Sequence, residues 1–281
     1  MNLDAIDVLF MHYITGRTPD EVNKYDFWQL QYGRRPGNLL RRLMDAGVIY
    51  EDDSLPATLP KLRVFELKFI LKQAGLKISG NKPELVKRIL QHAGAIDFSA
   101  VPLKNVYVLS DGQADFYSAT GFLNFFHFNG NFDLHEVYEF YLKSGGSDPH
   151  RTAVTFLEGK VRTHLHDRNK YTAIKAYFLL SNYALEEMQD MQSSIYYLNH
   201  FIMLIVLQAT EGGGGDGSEP HFYIDAYTRS RYKSYMEAGG IDAVDLVQYL
   251  AGSTADLPYP GEARRKAAEL IAAFIEAPDF Y

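Results

Sequence analysis

The sequence contains no cysteine, which excludes disulfide bonds and metal sites built from thiolates. It also lacks the basic and then apolar start that is typical of a signal peptide. Its longest dense apolar run, Phe201 to Leu207, is far shorter than the roughly 20 residues that a membrane-spanning helix needs. From these absences we expect a cytoplasmic protein that does not bind a membrane.

Signatures of common enzymes are absent as well. The sequence has no nucleophile elbow, HExxH helix, kinase signature or dinucleotide-binding fingerprint. The glycines at 212–215 lack a following Gly-Lys-Ser/Thr and come after a segment predicted to be helical, which favours a linker over a phosphate-binding loop. His164 and His166 precede Asp167, but metal-binding pairs on a helix need a spacing of three or four. We predict no enzyme activity, no metal and no cofactor.

Aromatic residues are abundant, and the chain is long. The sequence of 281 residues is long enough for two or three folded units with a sizeable core. It contains 20 tyrosines and 18 phenylalanines, a content that favours partly buried faces and contact surfaces. Apolar residues recur mostly with a helical period, so we predict a mainly α fold.

The clearest pattern lies in residues 59–93. Apolar residues recur there at spacings of three and four, which predicts the inward stripe of an amphipathic helix: Val64, Leu67, Ile70, Leu71 and Ala74. Gly75 is placed to end this helix. After a polar turn, Asn81 and Glu84 have the spacing of a capping box, and Pro83 suits the first turn of a second helix. The residues predicted to face inward in that helix are Leu85, Val86, Ile89 and Leu90.

Residues 59–93 also carry a net charge of opposite sign to that of the whole chain. They contain eight basic and two acidic residues, a net charge of +6, while the whole chain carries −7 and the remainder therefore −13. A local reversal on this scale is typical of a surface that contacts phosphates. A solvated helical surface is the competing interpretation, because charged helix faces are common. Thirty-five residues bury too little to be stable alone, so we expect this basic module to pack against its neighbours.

The basic module resembles the SAP domain, a DNA-binding helix-turn-helix module. The resemblance lies in the order and spacing of Leu67-Lys68, Gly75-Leu76, Ser79-Gly80, Lys82, Glu84-Leu85-Val86 and Arg88-Ile89-Leu90. It implies DNA binding with little sequence preference through the start of the second helix and the turn before it. Asn81 departs from the family, which commonly has a basic residue at this position.

Helix N-termini offer unpaired backbone N–H groups to anions, and the lysines around this one add positive charge. The residues that we predict to contact nucleic acid are Lys61, Arg63, Lys72, Lys77, Ser79, Gly80, Asn81, Lys82, Lys87 and Arg88. Of these, Ser79, Gly80 and Asn81 are expected to offer backbone amides.

Residues 1–58 are predicted to form a small helical unit similar to a winged helix. Asn38 is expected to cap a helix with Leu39, Leu40, Leu43 and Met44 inward, followed by Gly47 and a short strand. A second basic surface is suggested by Arg34, Arg35, Arg41 and Arg42. A solvated helix face is favoured over it, because this segment carries six basic and nine acidic residues. Residues 1–58 also resemble units that precede SAP modules in Firmicute and prophage proteins of unknown role, a resemblance that implies co-occurrence and not an activity.

Residues 94–148 are predicted to contain a linker, a short β hairpin beginning at Val106 to Leu109, an aromatic run and a helix from Leu134 to Leu142. The aromatic run, Phe122 to Phe132, lacks interleaved lysine or arginine. We therefore favour a core role for it over a base-stacking platform.

Residues 149–281 are predicted to form a C-terminal helical domain. Helices are expected near 151–166, 169–190, 192–210, 222–238, 242–250 and 261–276. The first pairs are loosely similar to a tetratricopeptide pair, but no fixed period recurs, so a helical bundle or a short irregular solenoid is the better description. Residues 211–220 are predicted to be a flexible loop.

Our leading hypothesis is a DNA-binding accessory protein of a phage or mobile element, acting in a bacterial host. Its acidic C-terminal part, with a net charge of −10 over residues 94–281, would bind a protein partner. The alternative is a structural or interaction protein in which the basic module serves only as a helical scaffold. An enzyme with an unrecognised site in the C-terminal part is the third hypothesis.

Overall fold

A computed structural model describes residues 3–22, 26–146, 148–212 and 222–277. Among the described residues, helices account for 69% and strands for 3%, which confirms the predicted mainly α class. The chain forms two compact units, one of Met1–Phe128 with Phe132–Ser147 and one of Asn129–Asn131 with Asp148–Tyr281. The finer division at residues 58, 93 and 148 stays a prediction.

The first unit consists of short helices and one small sheet. Its elements in chain order are α1 (Ala5–Ile14), α2 (Pro19–Val22), α3 (Phe27–Tyr32), α4 (Pro36–Asp45), β1 (Ile49–Asp52), α5 (Leu55–Thr58), a 3-10 turn (Leu59–Lys61), α6 (Val64–Gln73), α7 (Lys82–Gln91), a second 3-10 turn (Ala93–Ala95), β2 (Val106–Leu109), α8 (Ala114–Ala119), α9 (Phe122–Asn129) and α10 (Leu134–Ser144).

The two strands pair across the basic module. Strand β2 was expected to form a local hairpin, but its antiparallel partner is β1, and the whole of residues 53–105 lies between them. The paired residues are Ile49 with Leu109, Tyr50 with Val108, Glu51 with Tyr107 and Asp52 with Val106. The predicted order of helix, glycine and strand after α4 is confirmed, because Gly47 takes a left-handed φ of +67° just before β1.

Helix α1 is the centre of the first unit and contains a buried charge. Its Asp7 side chain is fully buried, and the Arg42 guanidinium of α4 pairs with it through Nη2 and Oδ2 at 2.6 Å. Arg34 pairs with Asp4, the residue that caps α1, at 2.8 Å. These ion pairs fix α4 and the turn before it to the start of α1.

Three expectations for side chains and boundaries in this unit were wrong. Helix α4 begins at Pro36, a residue that is preorganised for a first helical position, so Asn38 lies inside the helix rather than capping it. Met44 and Val64 were predicted to face inward, but both are exposed, at 40% and 41%. Val64 is the first residue of α6, and the buried residues of this helix begin only at Leu67.

The segment predicted as a linker packs on the module instead. Partly buried side chains of Ile96, Phe98, Val101 and Leu103 contact the core that α6 and α7 share. Leu55 of α5 contacts the same core from the other end. The module therefore packs against its neighbours, as expected. The core interpretation of the aromatic run is confirmed for its buried members, Phe122, Phe125 and Phe126.

The second unit is a bundle of longer helices. They are α11 (Pro149–His164), α12 (Tyr171–Glu186), α13 (Met191–Gly212), α14 (Ala226–Gly239), α15 (Ala243–Ser253) and α16 (Gly261–Glu276). Helix α12 packs between α11 and α13, and α16 packs against α13 and α15. Of the predicted loop at 211–220, residues 211 and 212 belong to α13, and the rest lies outside the described residues.

A buried arginine joins three of these helices. Arg231 of α14 donates from Nη1 to Asn182 Oδ1 of α12 at 3.0 Å and from Nη2 to Ser181 Oγ at 2.6 Å. Nη2 also donates to Ser194 Oγ of α13. Burial lowers the pKa of Arg231, and among the described residues its charge is stabilised by neutral oxygens rather than by a carboxylate within 4.0 Å. The sequence did not reveal this polar contact.

We expect Arg231→Ala to lower the free energy of unfolding by about 2–4 kcal/mol, because it leaves several buried oxygens without their donor. Urea unfolding followed by circular dichroism measures this change. Arg265→Ala is the matched control, because Arg265 lies on an exposed helix surface in a pair with Glu269, and its loss should cost no more than about 0.5 kcal/mol. Equal midpoints for the two variants would show that the buried contacts do not stabilise the bundle.

Candidate nucleic-acid interface

The basic module has a small apolar core of its own. Its side chains are at most 6% exposed and come from α6, α7 and the residues just before α6: Leu59, Leu62, Leu67, Ile70, Leu71, Leu85 and Ile89. Most of the predicted inward residues are therefore buried or half-buried, because their spacing of three and four places them on one side of each helix. The opposite sides of both helices face solvent and carry the lysines.

Glycine and a capping box shape the turn between the helices. Gly75 ends α6 with a left-handed φ of +70°, as predicted. Asn81 caps α7: its Oδ1 accepts the Glu84 N–H at 3.1 Å, and Glu84 Oε2 accepts the Asn81 N–H at 3.0 Å. Gly80 has a φ of +129° and lies directly against the Glu84 carboxylate. The predicted capping box is confirmed.

The capping box reduces the number of amides available to an anion. Asn81 was expected to offer its backbone N–H to a phosphate, but that N–H is donated to Glu84 instead. Pro83 has no N–H, and the Glu84 N–H is bonded to the Asn81 side chain. Within the described part of the chain, the N–H groups of Ser79, Gly80 and Lys82 have no acceptor. These three amides are the ones that a phosphate can reach.

Arg88 holds the turn in place. Its Nη1 donates to the backbone oxygen of Lys77 at 2.6 Å and to that of Ser79 at 2.9 Å. One guanidinium nitrogen thus links α7 to both sides of the turn that precedes it. The predicted direct contact of Arg88 with nucleic acid stays a prediction, but the structure already gives this side chain a positioning role.

Five lysines of the module have no carboxylate partner in the described part of the chain. Among the described residues, no carboxylate oxygen lies within 4.0 Å of their ammonium groups; they are Lys68, Lys72, Lys77, Lys82 and Lys87. Elsewhere in the chain many basic side chains are paired: Arg34, Arg42, Lys104, Lys143, Arg162, Arg265 and Lys266. Some basic side chains outside the module also lack a carboxylate partner, but five of the module's six lysines do, so unpaired positive charge is denser there than in the rest of the described chain. Lys68 was not among the residues predicted to contact nucleic acid.

The remaining predicted basic residues are in other environments. Lys61 forms an ion pair with Glu21 of α2 at 2.9 Å, so much of its charge is compensated. Arg63 is exposed at the start of α6, where its N–H donates to Glu66 Oε2 at 2.6 Å. On the suggested second basic surface, Arg34 and Arg42 are engaged with Asp4 and Asp7, while Arg35 and Arg41 are exposed. These pairs leave that surface with less free charge than the sequence suggested.

Metal-binding and membrane-spanning features are absent from the described ranges. No group of three or more histidine, aspartate or glutamate side chains there is arranged to hold a metal ion. His164 pairs instead with Asp167 through Nδ1 at 2.8 Å. None of the helices described has both the length and the apolar character needed to cross a membrane.

Comparison with known proteins supports the resemblance of the module. The family model of the SAP domain matches residues 58–93, which cover both helices and the turn between them. No curated protein and no solved structure shows significant similarity to the chain.

Gly80→Ala should destabilise the start of α7 by about 2–4 kcal/mol, because an added Cβ would overlap with Glu84 Oε2 at a φ that side chains rarely adopt. Gly75→Ala is the control, since a Cβ there meets no atom within 4 Å and only the left-handed φ, worth about 1–2 kcal/mol, opposes it. Hydrogen exchange of the α7 amides measures the difference. Equal exchange rates in both variants would contradict the role given to Gly80.

Lys61→Ala should show a pH-dependent effect on stability. The hydrogen bond from Lys61, with a second from the Thr18 N–H, lowers the pKa of Glu21 from 4.5 to about 2. A lowered folded-state pKa stabilises the fold above pH 4.5, and this stabilisation is lost as the pH falls toward 2. Because the pair is partly exposed, the variant should lose at most about 1 kcal/mol at neutral pH.

Urea unfolding of the parent and of Lys61→Ala from neutral pH to pH 2 measures this effect, with Glu21→Gln as the matched variant. The difference in unfolding free energy between the parent and Lys61→Ala should be constant at neutral pH, shrink below pH 4.5 and keep falling as the pH passes through 2, where Glu21 is half protonated. A difference at pH 2 as large as the one at neutral pH would show that Lys61 acts through packing of its methylene chain.

Proposed function

We propose that the protein is a non-enzymatic accessory protein that binds DNA through the basic module. The observation that carries this proposal is the group of five lysines without carboxylate partners, on a module that matches the SAP domain, in a chain of net charge −7. Ion pairs within the described part of the protein do not neutralise these five charges. Phosphates are the ligands whose binding would release counterions and neutralise them.

The contacts fall on the turn and on the first turns of α7. Lys77, Lys82 and Lys87 supply positive charge there, and the N-terminal end of the helix dipole adds about half a charge. The amides of Ser79 and Gly80 extend the same anion site. Since such contacts reach phosphates rather than base edges, we expect duplex binding with little sequence preference.

The remaining proposals concern partners and setting. We propose that the acidic C-terminal part binds a protein partner, and the support is its net charge of −10 over residues 94–281. We also propose that the protein acts in the cytoplasm of a bacterial host as a phage or mobile-element factor. The support for this setting is the similarity of residues 1–58 to units that precede SAP modules in Firmicute and prophage proteins.

Replacing Lys77, Lys82 and Lys87 together by alanine should weaken binding to a DNA duplex by a similar factor for every sequence. It should also reduce the slope of log K against log salt by about 0.9 for each phosphate that the variant no longer neutralises. Fluorescence anisotropy with labelled duplexes of different sequence, over a salt series, measures both quantities. Arg88 is left intact because its replacement would disturb the turn.

The matched control replaces Lys143, Arg265 and Lys266, which removes three positive charges from paired sites outside the module. This variant has the same net charge as the first, so a difference between them reports position rather than total charge. If both bind like the parent, or if the parent binds no duplex at about 50 mM salt, the DNA-binding proposal fails. The module would then be a helical scaffold for protein interactions.

A further inference from the structure

The outward face of α6 carries two exposed aromatic rings. Phe65 is 64% exposed and Phe69 is 60% exposed, and they lie one helical turn apart. Lys68 and Lys72 complete the spacing i, i+3, i+4 and i+7, so all four side chains lie on one face, opposite the buried stripe. Burying a phenylalanine is worth roughly 1.5–3 kcal/mol, so two adjacent exposed rings indicate a binding surface rather than an incidental feature.

The two rings form one wall of a groove of about 790 Å³. Ile70 and Ala74 of α6 also line the groove, and Ile96, Val101 and Pro102 line it from the segment that follows α7. A groove of this volume is in the range of small-ligand sites.

Positive charge lies beside the two rings and not in the groove lining, which among the described residues contains Glu66 and Asp97 but no lysine or arginine. The charges that favour a polyanion are therefore those of the outward face of α6. Lys68 and Lys72 lie beside the rings and belong to the five lysines without a carboxylate within 4.0 Å in the described ranges. The two acidic side chains of the groove are engaged locally: Glu66 accepts the Arg63 N–H, and Asp97 accepts the Ser99 N–H at 2.8 Å. Alternating rings and ammonium groups are the arrangement that binds single-stranded nucleic acid.

We propose that this face of α6 is a stacking platform for single-stranded DNA. Two unpaired bases lie against the rings of Phe65 and Phe69, and Lys68 and Lys72 contact the phosphates beside them. The inference rests on the proposed function, because it assigns a second DNA-binding surface to the same module. It adds a preference for unpaired strands, which the contacts at α7 do not provide.

Replacing Phe65 and Phe69 together by alanine in the full chain tests this proposal. The affinity for an oligothymidylate of about 20 nucleotides should fall at least tenfold, since each base stacked on a ring contributes about a fivefold to 150-fold gain. The affinity for a duplex of the same length should change less than about twofold. No charge is removed, so the salt dependence of oligothymidylate binding should keep its slope.

Two further variants make the test specific. Phe69→Trp should retain the affinity for oligothymidylate, and its indole fluorescence should be quenched when a base stacks on it, whereas the one native tryptophan, Trp28, is buried at 3% exposure. Phe128→Ala is the matched control, because this ring is 82% exposed outside the module, and the variant should bind like the parent.

If the double alanine variant binds oligothymidylate as tightly as the parent does, the platform proposal is wrong. It is also wrong if that variant loses duplex binding and single-strand binding to the same extent. Either result leaves the proposed function intact if the variant lacking Lys77, Lys82 and Lys87 still loses duplex binding. If the parent binds neither form of DNA, both proposals fail, and the groove is left as a docking site for an apolar helix of a protein.

Discussion

The antiparallel pairing of β1 with β2 is the contact on which the first unit depends. Adjacent strands lie about 4.8 Å apart, so this ladder brings the two ends of residues 53–105 together and closes the basic module into the unit. Strand β2 is bonded on its other side as well, because the Tyr107 N–H donates to the Arg17 oxygen and the Gly16 N–H donates to the Tyr107 oxygen. The small sheet thus connects the module to the end of α1.

This closure explains how so small a module is ordered. Its core contains only seven buried side chains, five of them on the two helices, and these are too few for a core that is stable alone. Because the strands hold both flanks, Leu55 before the module and Ile96 to Leu103 after it cover the same core. The backbone on either side therefore contributes to the fold, and the exposed faces of α6 and α7 are left free to carry charge and aromatic rings.

The sequence predicted those features that depend on neighbours a few residues away. The two helices, the end of α6 at Gly75 and the capping box of Asn81 and Glu84 all follow from local spacing. Contacts between distant residues were not predicted. The pairing of β1 with β2 joins positions that are far apart in the chain, and the Lys61 contact with Glu21 joins the 3-10 turn before α6 to helix α2.

Irregular backbone was a second reason why some contacts could not be predicted from the sequence. The segment from Ile96 to Leu103 has no helical or strand period, so its apolar residues could not be assigned to a face, although four of them pack on the module. The role of Arg88 was hidden for a related reason, because its acceptors are backbone oxygens whose positions depend on the turn. The exposed rings of α6 did have a sequence signal: Phe65, Lys68, Phe69 and Lys72 repeat with a helical period opposite the apolar stripe.

The two DNA contacts proposed for the module would rest on different physical terms. The lysines around the start of α7 would act through counterion release, which weakens steeply as salt rises, whereas base stacking on the rings of α6 is not itself an ionic term. The remainder of the chain carries −13, and repulsion of DNA from it reaches only about 10 Å at 0.1 M salt. In the proposed complex, this repulsion would favour DNA on the module over the rest of the chain at low salt. At higher salt, where the phosphate contacts weaken, stacking supplies a growing share of the affinity, so selectivity for unpaired strands should increase with ionic strength.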